Sequence, residues 1–186
     1  MGDWVDNEFL NFMNDSTHTK PKILWLVGLS GAGKSTIGDA LIERLSAEGV
    51  QAARLDGDDL RVGLNSDLGF TPENRLENLR RAAHVAKLFS QLGNLTIASF
   101  ISPLRADRQK IKEVLGEQYF EVYIKTSLET CEQRDPKGLY KRARSGELKQ
   151  FTGVSAVFEA PESPDLIIDT ERLTVTEAVD LLRSKI

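Results

Sequence analysis

Cysteine and histidine are scarce in this sequence, which contains one cysteine and two histidines among 186 residues. A single cysteine, Cys131, excludes an internal disulfide and is typical of a reducing compartment. It lies in an apolar-periodic stretch, so we expect a packed thiol rather than a reactive one. So few thiol and imidazole ligands also exclude a zinc cluster. No apolar run is long enough to span a bilayer, and no signal-peptide segment follows the N-terminus. We therefore expect a cytoplasmic protein that is not bound to membranes.

An excess of positive charge is also missing, because the formal net charge is −4 at pH 7. That balance argues against a general nucleic-acid or membrane-surface binder. With 40% apolar and 28% charged residues, the composition is that of an ordinary globular domain. Residues 1–20 are polar and aperiodic, and we expect an N-terminal arm with one short helix around Val5–Met13. Residues 21–186 are expected to form a single domain.

From residue 22 onward, apolar runs alternate with segments of helical periodicity. This alternation predicts a doubly wound α/β domain with a parallel sheet. The predicted strands are 23–28, 51–55, 95–101, 119–124 and 166–169, and the predicted helices are 34–48, 73–92, 104–115, 127–133, 139–145 and 174–184.

A glycine-rich stretch separates the first predicted strand from the first predicted helix. It fits the phosphate-loop pattern G-x-x-x-x-G-K-[ST] without a mismatch. In such a loop, backbone N–H groups and the positive end of the helix dipole converge on phosphate, so we predict nucleoside triphosphate binding; the alternative is a chance glycine turn. Lys34 is expected to reach the β- and γ-phosphates, and the Ser35 hydroxyl to bind Mg²⁺. The predicted cradle consists of Gly28, Leu29, Ser30, Gly31, Ala32, Gly33, Lys34, Ser35 and Thr36.

Three carboxylates follow the second predicted strand, at the sheet edge where α/β proteins bind ligands. Asp56, Asp58 and Asp59 would be costly to place together unless they hold a metal or accept a proton. Asp58 is the candidate for orienting an acceptor hydroxyl or for holding Mg²⁺ through water. Arg61 suits an anionic group on the acceptor. The alternative is a polar turn with a helix N-cap.

Ser102 and two arginines follow the third predicted strand at the same edge. The Ser102 hydroxyl could bind the acceptor, become phosphorylated or cap the helix after Pro103, and the residues alone favour the cap. Arg105 and Arg108 could face phosphates or lie on the surface of a first helical turn.

Two aromatic residues and a cationic segment lie in otherwise polar loops. Phe70 and Phe151 could stack on a base or could latch onto the core, and taken singly each favours the latch. Residues 135–164 are rich in cations and glycine, which is typical of a mobile lid over phosphates. A solvated basic loop without a role fits that composition equally well.

Taken together, these residues resemble the adenylyl-sulfate kinase (APS kinase) family over roughly residues 22–170. The family makes 3′-phosphoadenylyl sulfate from ATP and adenylyl sulfate. The phosphate loop marks only the superfamily, whereas the later motifs in this order are more specific. The shared motifs are GLSGAGKST at 28–36, DGD at 56–58, DLGF at 67–70, FISP at 100–103, CEQRD at 131–135, KGLYKRAR at 137–144 and FTG at 151–153.

The resemblance implies a P-loop fold like that of nucleoside monophosphate kinases, with strand order 2-3-1-4-5, helices on both faces and a mobile lid. It also implies ATP and Mg²⁺ as cofactors, a homodimer and a role in sulfate assimilation. Phe70 and Phe151 would sandwich the adenine of adenylyl sulfate, and Asp58 would assist its 3′-hydroxyl. A phosphoserine is described in the family at the position of Ser102. The remaining acceptor contacts would come from Arg61, Arg75, Asn78, Ile101, Ser102, Lys137 and Lys149.

The chain departs from the family pattern at a few positions. Asp59 stands where DGDN is usual, residues 154–158 replace the usual continuation of FTG, and the arm lacks the expected pattern. A P-loop kinase acting on another nucleotide or small-molecule hydroxyl is the alternative function. A regulatory GTP-binding switch would need an N-K-x-D stretch, and none occurs. A dinucleotide-binding dehydrogenase would need a third glycine where Thr36 stands.

Overall fold

The computed structural model describes residues 23–186, which fold around one parallel sheet. Five strands pair in the order β2-β3-β1-β4-β5, so the predicted P-loop kinase topology is confirmed. The predicted arm at 1–20 and its short helix at Val5–Met13 lie outside the described residues. The strands are β1 (Ile23–Val27), β2 (Ala52–Asp56), β3 (Leu95–Phe100), β4 (Tyr119–Lys125) and β5 (Leu166–Asp169).

The helices cover both faces of the sheet, and the six predicted helices begin and end within one residue of their predicted bounds. They are α1 (Lys34–Ala47), α2 (Gly57–Val62), α3 (Pro72–Gln91), α4 (Arg105–Leu115), α5 (Leu128–Arg134), α6 (Leu139–Arg144) and α7 (Val175–Arg183), with a 3₁₀ turn at Gly116–Gln118.

Helix α2 is the one α-helix within residues 23–186 that the sequence patterns did not predict. Asp56 is its N-cap, and the Asp56 carboxylate accepts a 2.9 Å hydrogen bond from the Asp58 backbone N–H. Two further carboxylates, Asp58 and Asp59, lie in its first turn, where the helix dipole stabilises negative charge. The N-cap alternative for this cluster is therefore correct at Asp56.

Strand β1 lies at the centre of the sheet, and all five of its residues are buried. Because successive side chains of a strand point to opposite faces, Leu24 and Leu26 pack with α1 and α7, and Trp25 packs with α3 and α4. A parallel sheet covered on both faces favours such continuous apolar strands. Cys131 is buried in the first of these cores, as predicted, and burial raises the pKa of its thiol.

The register of the sheet brings the ends of three strands to one edge. Val27, the last residue of β1, pairs with Phe100 of β3, and Asp56 of β2 pairs with Ser99 of β3. The segments that follow β1, β2 and β3 therefore emerge side by side. These segments are the phosphate loop, the carboxylate cluster and the Ile101–Pro103 turn.

The segment at 135–164, called here the lid segment, is attached to the core at several points. Tyr140 of α6 is buried, and its hydroxyl donates to the Ser30 carbonyl at 2.9 Å. Phe151 meets the Tyr140 ring edge-on with 5.0 Å between centroids, and Phe158 stacks on Tyr123 at 6.3 Å. The mobility of this segment and the division of the chain into arm and domain stay predictions. None of the helices in the described part of the chain, residues 23–186, combines the length and the apolar character of a membrane span.

Candidate active site

One large cavity of about 1130 Å³ opens at this edge of the sheet. It brings together most of the residues that the sequence singled out, although they are spread over more than 120 positions. Gly28 and Leu29 are the exceptions, because both are buried at the start of the loop and do not line the cavity. The predicted site residues along its wall are Ser30, Gly31, Ala32, Gly33, Lys34, Ser35, Thr36, Asp58, Arg61, Phe70, Arg75, Asn78, Ile101, Ser102, Lys137, Lys149 and Phe151.

The phosphate loop wraps around the N-terminus of α1. Gly33 is the N-cap of that helix, and its φ of 104° lies in the left-handed region that favours glycine. No side chain caps the helix, so its first backbone N–H groups are left for a ligand at the positive end of the dipole. The loop geometry is that of an anion cradle.

Lys34 folds back over the loop that precedes it. Its Nζ donates to the Gly28 carbonyl at 3.0 Å and to the Leu29 carbonyl at 2.7 Å. Burial lowers the pKa of Lys34 from 10.5 to about 8, and the nearby Asp56 carboxylate opposes that shift. Neutral carbonyl oxygens compensate a buried cation only in part, so this ammonium is well placed to receive an anionic group.

The side-chain oxygens of Ser35, in the first turn of α1, and of Asp56, at the end of β2, lie next to each other. The Ser35 hydroxyl donates to Asp56 Oδ2 at 2.7 Å, and Arg54 Nη2 lies 3.3 Å from the same oxygen. No group of three or more His, Cys, Asp or Glu residues suited to a metal occurs within residues 23–186. Mg²⁺ commonly uses one or two protein oxygens together with water and substrate phosphates, and the Ser35–Asp56 pair fits that need.

Asp58 and Lys137 join the two sides of the cavity. They form an ion pair in which the lid segment reaches the carboxylate cluster, and the Asp58 carboxylate raises the pKa of Lys137. Both side chains are more than half exposed, so the pair is accessible to exchange with a ligand. Asp59 pairs instead with Arg54.

Phe70 projects into the cavity with 60% of its surface exposed, so the latch alternative is wrong for this residue. The Arg61 guanidinium lies 4.4 Å from the centre of the Phe70 ring, and Arg75 lies 5.7 Å away. Phe151 lines the cavity but also packs on Tyr140 and the core, so its latch contact is present. Both rings therefore face the same cavity; the Phe70 ring is exposed to solvent, and the Phe151 ring is supported by the core.

Two cavity arginines also hold the backbone of the surrounding loops. Arg61 Nη1 donates to the carbonyls of Leu68 and Gly69, each at 3.0 Å. Arg75 Nε donates to the Phe70 carbonyl at 2.9 Å, and its Nη2 donates to the Gln150 carbonyl at 2.8 Å. Burial lowers the pKa of both guanidinium groups, which remain cationic.

Asn78 and Ile101 complete the predicted acceptor side of the wall. Asn78 is buried, and its Oδ1 accepts a 2.9 Å hydrogen bond from Asn65 Nδ2, which ties the 63–70 loop to α3. Ile101 follows directly on β3 and is half-buried. Lys149 is exposed at the rim of the cavity.

Ser102 is not a helix cap, and that prediction is wrong. Helix α4 begins at Arg105 after Leu104, and the Glu159 carboxylate accepts the Arg105 backbone N–H at 2.7 Å. The Ser102 hydroxyl instead accepts a 2.9 Å hydrogen bond from the indole Nε1 of Trp25. Only 1% of Ser102 is exposed.

Neither arginine of α4 faces the phosphate cradle. Arg105 pairs with Glu162 on the lid segment and donates to the Ala160 carbonyl at 3.2 Å. Arg108 is buried, so it neither faces phosphates nor lies on the surface of the first helical turn, which were the two predicted alternatives. Its contacts lie behind the cavity wall.

Arg134 and Thr170 also line the cavity, although neither was predicted as a site residue. Arg134 donates to the hydroxyl of Thr170 at 3.0 Å and to its carbonyl at 3.1 Å, which joins α5 to the end of β5. Arg134 lies in the shared motif CEQRD, the one sequence signal that pointed to it. Asp56, which holds Ser35, stood in the predicted carboxylate cluster but was assigned no separate role.

Comparisons with known proteins agree with this geometry. A family model described as adenylylsulphate kinase matches residues 20–169. The adenylyl-sulfate kinase of Staphylococcus carnosus is 50% identical over 95% of this chain and 90% of its own length, and that of Paraburkholderia xenovorans is 56% identical over 86% and 89%. The APS kinase of Mycobacterium tuberculosis, solved with AMPPNP and APS, superposes with a TM-score of 0.83 at 42% identity, over 89% of this chain and 98% of that one. The chain therefore belongs to the adenylyl-sulfate kinase family.

Proposed function

We propose that this protein transfers the γ-phosphoryl group of ATP to the 3′-hydroxyl of adenylyl sulfate, giving 3′-phosphoadenylyl sulfate and ADP. The observation that carries the proposal is the single cavity in which the phosphate cradle faces Asp58 and two aromatic rings. Such a cavity can hold a donor and an acceptor in line, and phosphoryl transfer depends mainly on that positioning. The solved relative bound to both AMPPNP and APS supports the same pairing of substrates.

On the donor side, the backbone of residues 28–36 would bind the phosphates of ATP. Lys34 would exchange the carbonyls of Gly28 and Leu29 for the β- and γ-phosphates. Ser35 would hold Mg²⁺ with Asp56 beside it. The ion supplies positive charge that neutralises the phosphate oxygens.

On the acceptor side, Phe70 and Phe151 would stack on the adenine. Arg61, Arg75 and Asn78, with the backbone of Ile101 and Ser102, would bind its ribose and phosphosulfate. Asp58 would accept the proton of the 3′-hydroxyl as that oxygen bonds to the γ-phosphorus and the bond to the bridging oxygen of ADP breaks. Lys137 would leave Asp58 and, with Lys149, stabilise the anionic groups.

Direct transfer is favoured over a phosphoserine intermediate at Ser102. The Ser102 hydroxyl is buried and accepts the indole N–H of Trp25, so it is a poor nucleophile for the γ-phosphorus. An acceptor hydroxyl held beside the donor needs no covalent intermediate.

We also propose a cytoplasmic location and a homodimeric assembly, with small-molecule substrates and neither nucleic acid nor membrane as partner. The single cysteine supports the cytoplasmic location. The net charge of −4 supports the absence of nucleic-acid and membrane partners. The homodimer rests on the family resemblance.

A coupled assay of ADP release tests the function. The purified protein should release ADP only when ATP, Mg²⁺ and adenylyl sulfate are all present, and Lys34→Ala should reduce turnover by at least about a thousandfold. Lys110→Ala, a change at an exposed lysine of α4 outside the cavity, is the control and should retain turnover. ADP release stimulated by another nucleotide or a sugar acid, and not by adenylyl sulfate, would overturn the proposed acceptor.

A further inference from the structure

Ile101, Ser102 and Pro103 form the part of the cavity wall that is called here the acceptor wall. A chain of polar groups lies directly behind it. Arg108 Nη1 donates to the Ser102 carbonyl at 2.8 Å, and Arg108 Nε lies 3.0 Å from Glu121 Oε1. The Tyr119 hydroxyl donates to the same Glu121 oxygen at 3.1 Å. Trp25 completes the group through its hydrogen bond to the Ser102 hydroxyl. Of these residues, only Ser102 lines the cavity.

Arg108 and Glu121 are both largely removed from solvent, with 6% and 14% of their side chains exposed. Burial raises the pKa of Glu121, and the Arg108 guanidinium opposes that rise. The planar guanidinium fork suits buried ion pairs, because it meets fixed acceptors in defined directions. Here the Arg108 guanidinium pairs with Glu121 on β4 and donates to the Ser102 carbonyl in the turn after β3.

The backbone at Ser102 is in a conformation that serine rarely adopts. Its φ is 45°, within the left-handed region that is unfavourable for residues with a side chain. Such a conformation persists where the surroundings over-determine it, and these sites cluster around active centres. Ser102 is held on both sides, at its carbonyl by Arg108 and at its hydroxyl by Trp25.

The left-handed turn decides where the acceptor wall lies. Ile101 and Pro103, the neighbours of Ser102, both line the cavity. A change of φ at Ser102 would swing the peptide groups on either side of it. The contact with Arg108 therefore controls atoms that an acceptor would meet, although Arg108 itself does not reach the cavity.

We propose that Arg108, oriented by Glu121, is a positioning residue that fixes the Ile101–Pro103 backbone in the shape required to bind the acceptor. The inference rests on the proposed function, because it assumes that adenylyl sulfate lies against this turn. The buried Arg108–Glu121 ion pair would thus contribute to the acceptor specificity of the cavity without touching the acceptor.

Steady-state kinetics of an Arg108→Met variant test the proposal, with both substrates varied in turn. Loss of the contact should raise KM for adenylyl sulfate about tenfold or more and leave KM for ATP within about twofold. Arg108→Lys should give an intermediate KM, since an ammonium keeps the charge but not the fork. The matched control is Lys110→Met on the same helix, where an exposed lysine should be replaceable without effect.

A double variant separates positioning from stability. Arg108→Met leaves Glu121 buried without its cation, so a loss of activity could reflect partial unfolding. Arg108→Met with Glu121→Gln removes both charges, and its thermal midpoint should recover toward that of the parent. The elevated KM for adenylyl sulfate should nevertheless remain, because the Ser102 carbonyl still lacks its donor.

Each result has a distinct meaning. If KM for adenylyl sulfate returns to normal with the thermal midpoint, or if both KM values rise together, the positioning role is overturned. An unchanged KM in Arg108→Met overturns it as well. If the parent protein itself shows no ADP release with adenylyl sulfate, the proposed function fails instead.

Discussion

Binding of ATP should be accompanied by uptake of a proton at Lys34. In the structure, its ammonium is compensated by two carbonyl oxygens, and burial lowers its pKa to about 8. Phosphate oxygens carry full negative charge and favour the protonated form far more strongly. The pKa of Lys34 should therefore rise well above 8 when the β- and γ-phosphates arrive.

The size of the uptake follows from the starting pKa. With a pKa of about 8, Lys34 is about 0.9 protonated at pH 7, about 0.5 at pH 8 and about 0.1 at pH 9. If the bound state is fully protonated, uptake should be about 0.1, 0.5 and 0.9 proton at these pH values. Because binding raises the pKa, affinity for ATP is highest below pH 8 and falls as the pH rises, approaching tenfold per pH unit.

Calorimetric titration with MgATP in two buffers of different ionisation enthalpy measures this uptake directly. Lys34→Arg keeps a permanent charge and should abolish the buffer dependence. Lys137→Met should retain it, since the pKa of Lys137 is already raised by Asp58 and the residue stays protonated throughout. Uptake that does not change between pH 7 and 9, or that survives Lys34→Arg, would refute the assignment.

Three further predictions follow from single contacts. Phe70→Ala should raise KM for adenylyl sulfate by about 5- to 150-fold, because base stacking contributes about 1–3 kcal/mol, and an unchanged KM would reject stacking. Gly28→Ala should lower the free energy of unfolding in urea by about 1–3 kcal/mol, since its Cβ would lie 2.6 Å from the Ile124 carbonyl oxygen; parent-like stability would contradict the close approach. Ser102→Ala should destabilise by about 1–3 kcal/mol by leaving the Trp25 N–H unpaired. Ser102→Gly should be the more stable of these two variants by about 1 kcal/mol, because it relieves the positive φ, and the reverse order in urea unfolding would exclude strain there.

The donor site was predictable because its residues are contiguous. Gly28 to Thr36 form one loop whose function depends on local backbone geometry, so the pattern and its flanking strand and helix suffice. The acceptor site has no such continuity. Phe70 and Phe151 were each ambiguous from the residues alone, and their shared cavity came only with the resemblance and the fold.

Helix α2 was missed for a local reason. Its six residues include glycine and two aspartates, which are weak helix formers, and six residues carry little periodicity. The Asp56 cap and the dipole stabilise it against that propensity.

The roles of Ser102 and Arg108 could not be obtained from sequence. A serine before a proline and a helix is typical of a cap, but the hydroxyl found its partner in Trp25, 77 positions earlier. Arg105 and Arg108 occupy one helix three residues apart, yet only Arg108 faces Glu121 on β4. Helical spacing gives the relative directions of the two side chains and not which of them meets the sheet.

What the sequence determined by itself is the chemistry of each local segment: a phosphate loop, alternating strands and helices, a carboxylate cluster and a single packed cysteine. These features depend on neighbouring residues and on short-range periodicity. The tertiary structure decided which segments meet, such as Lys137 with Asp58 and Arg108 with the Ser102 carbonyl. Burial and pairing between distant residues are properties of the packed sheet edge, because only packing removes water and fixes the partner that a charged group must then find.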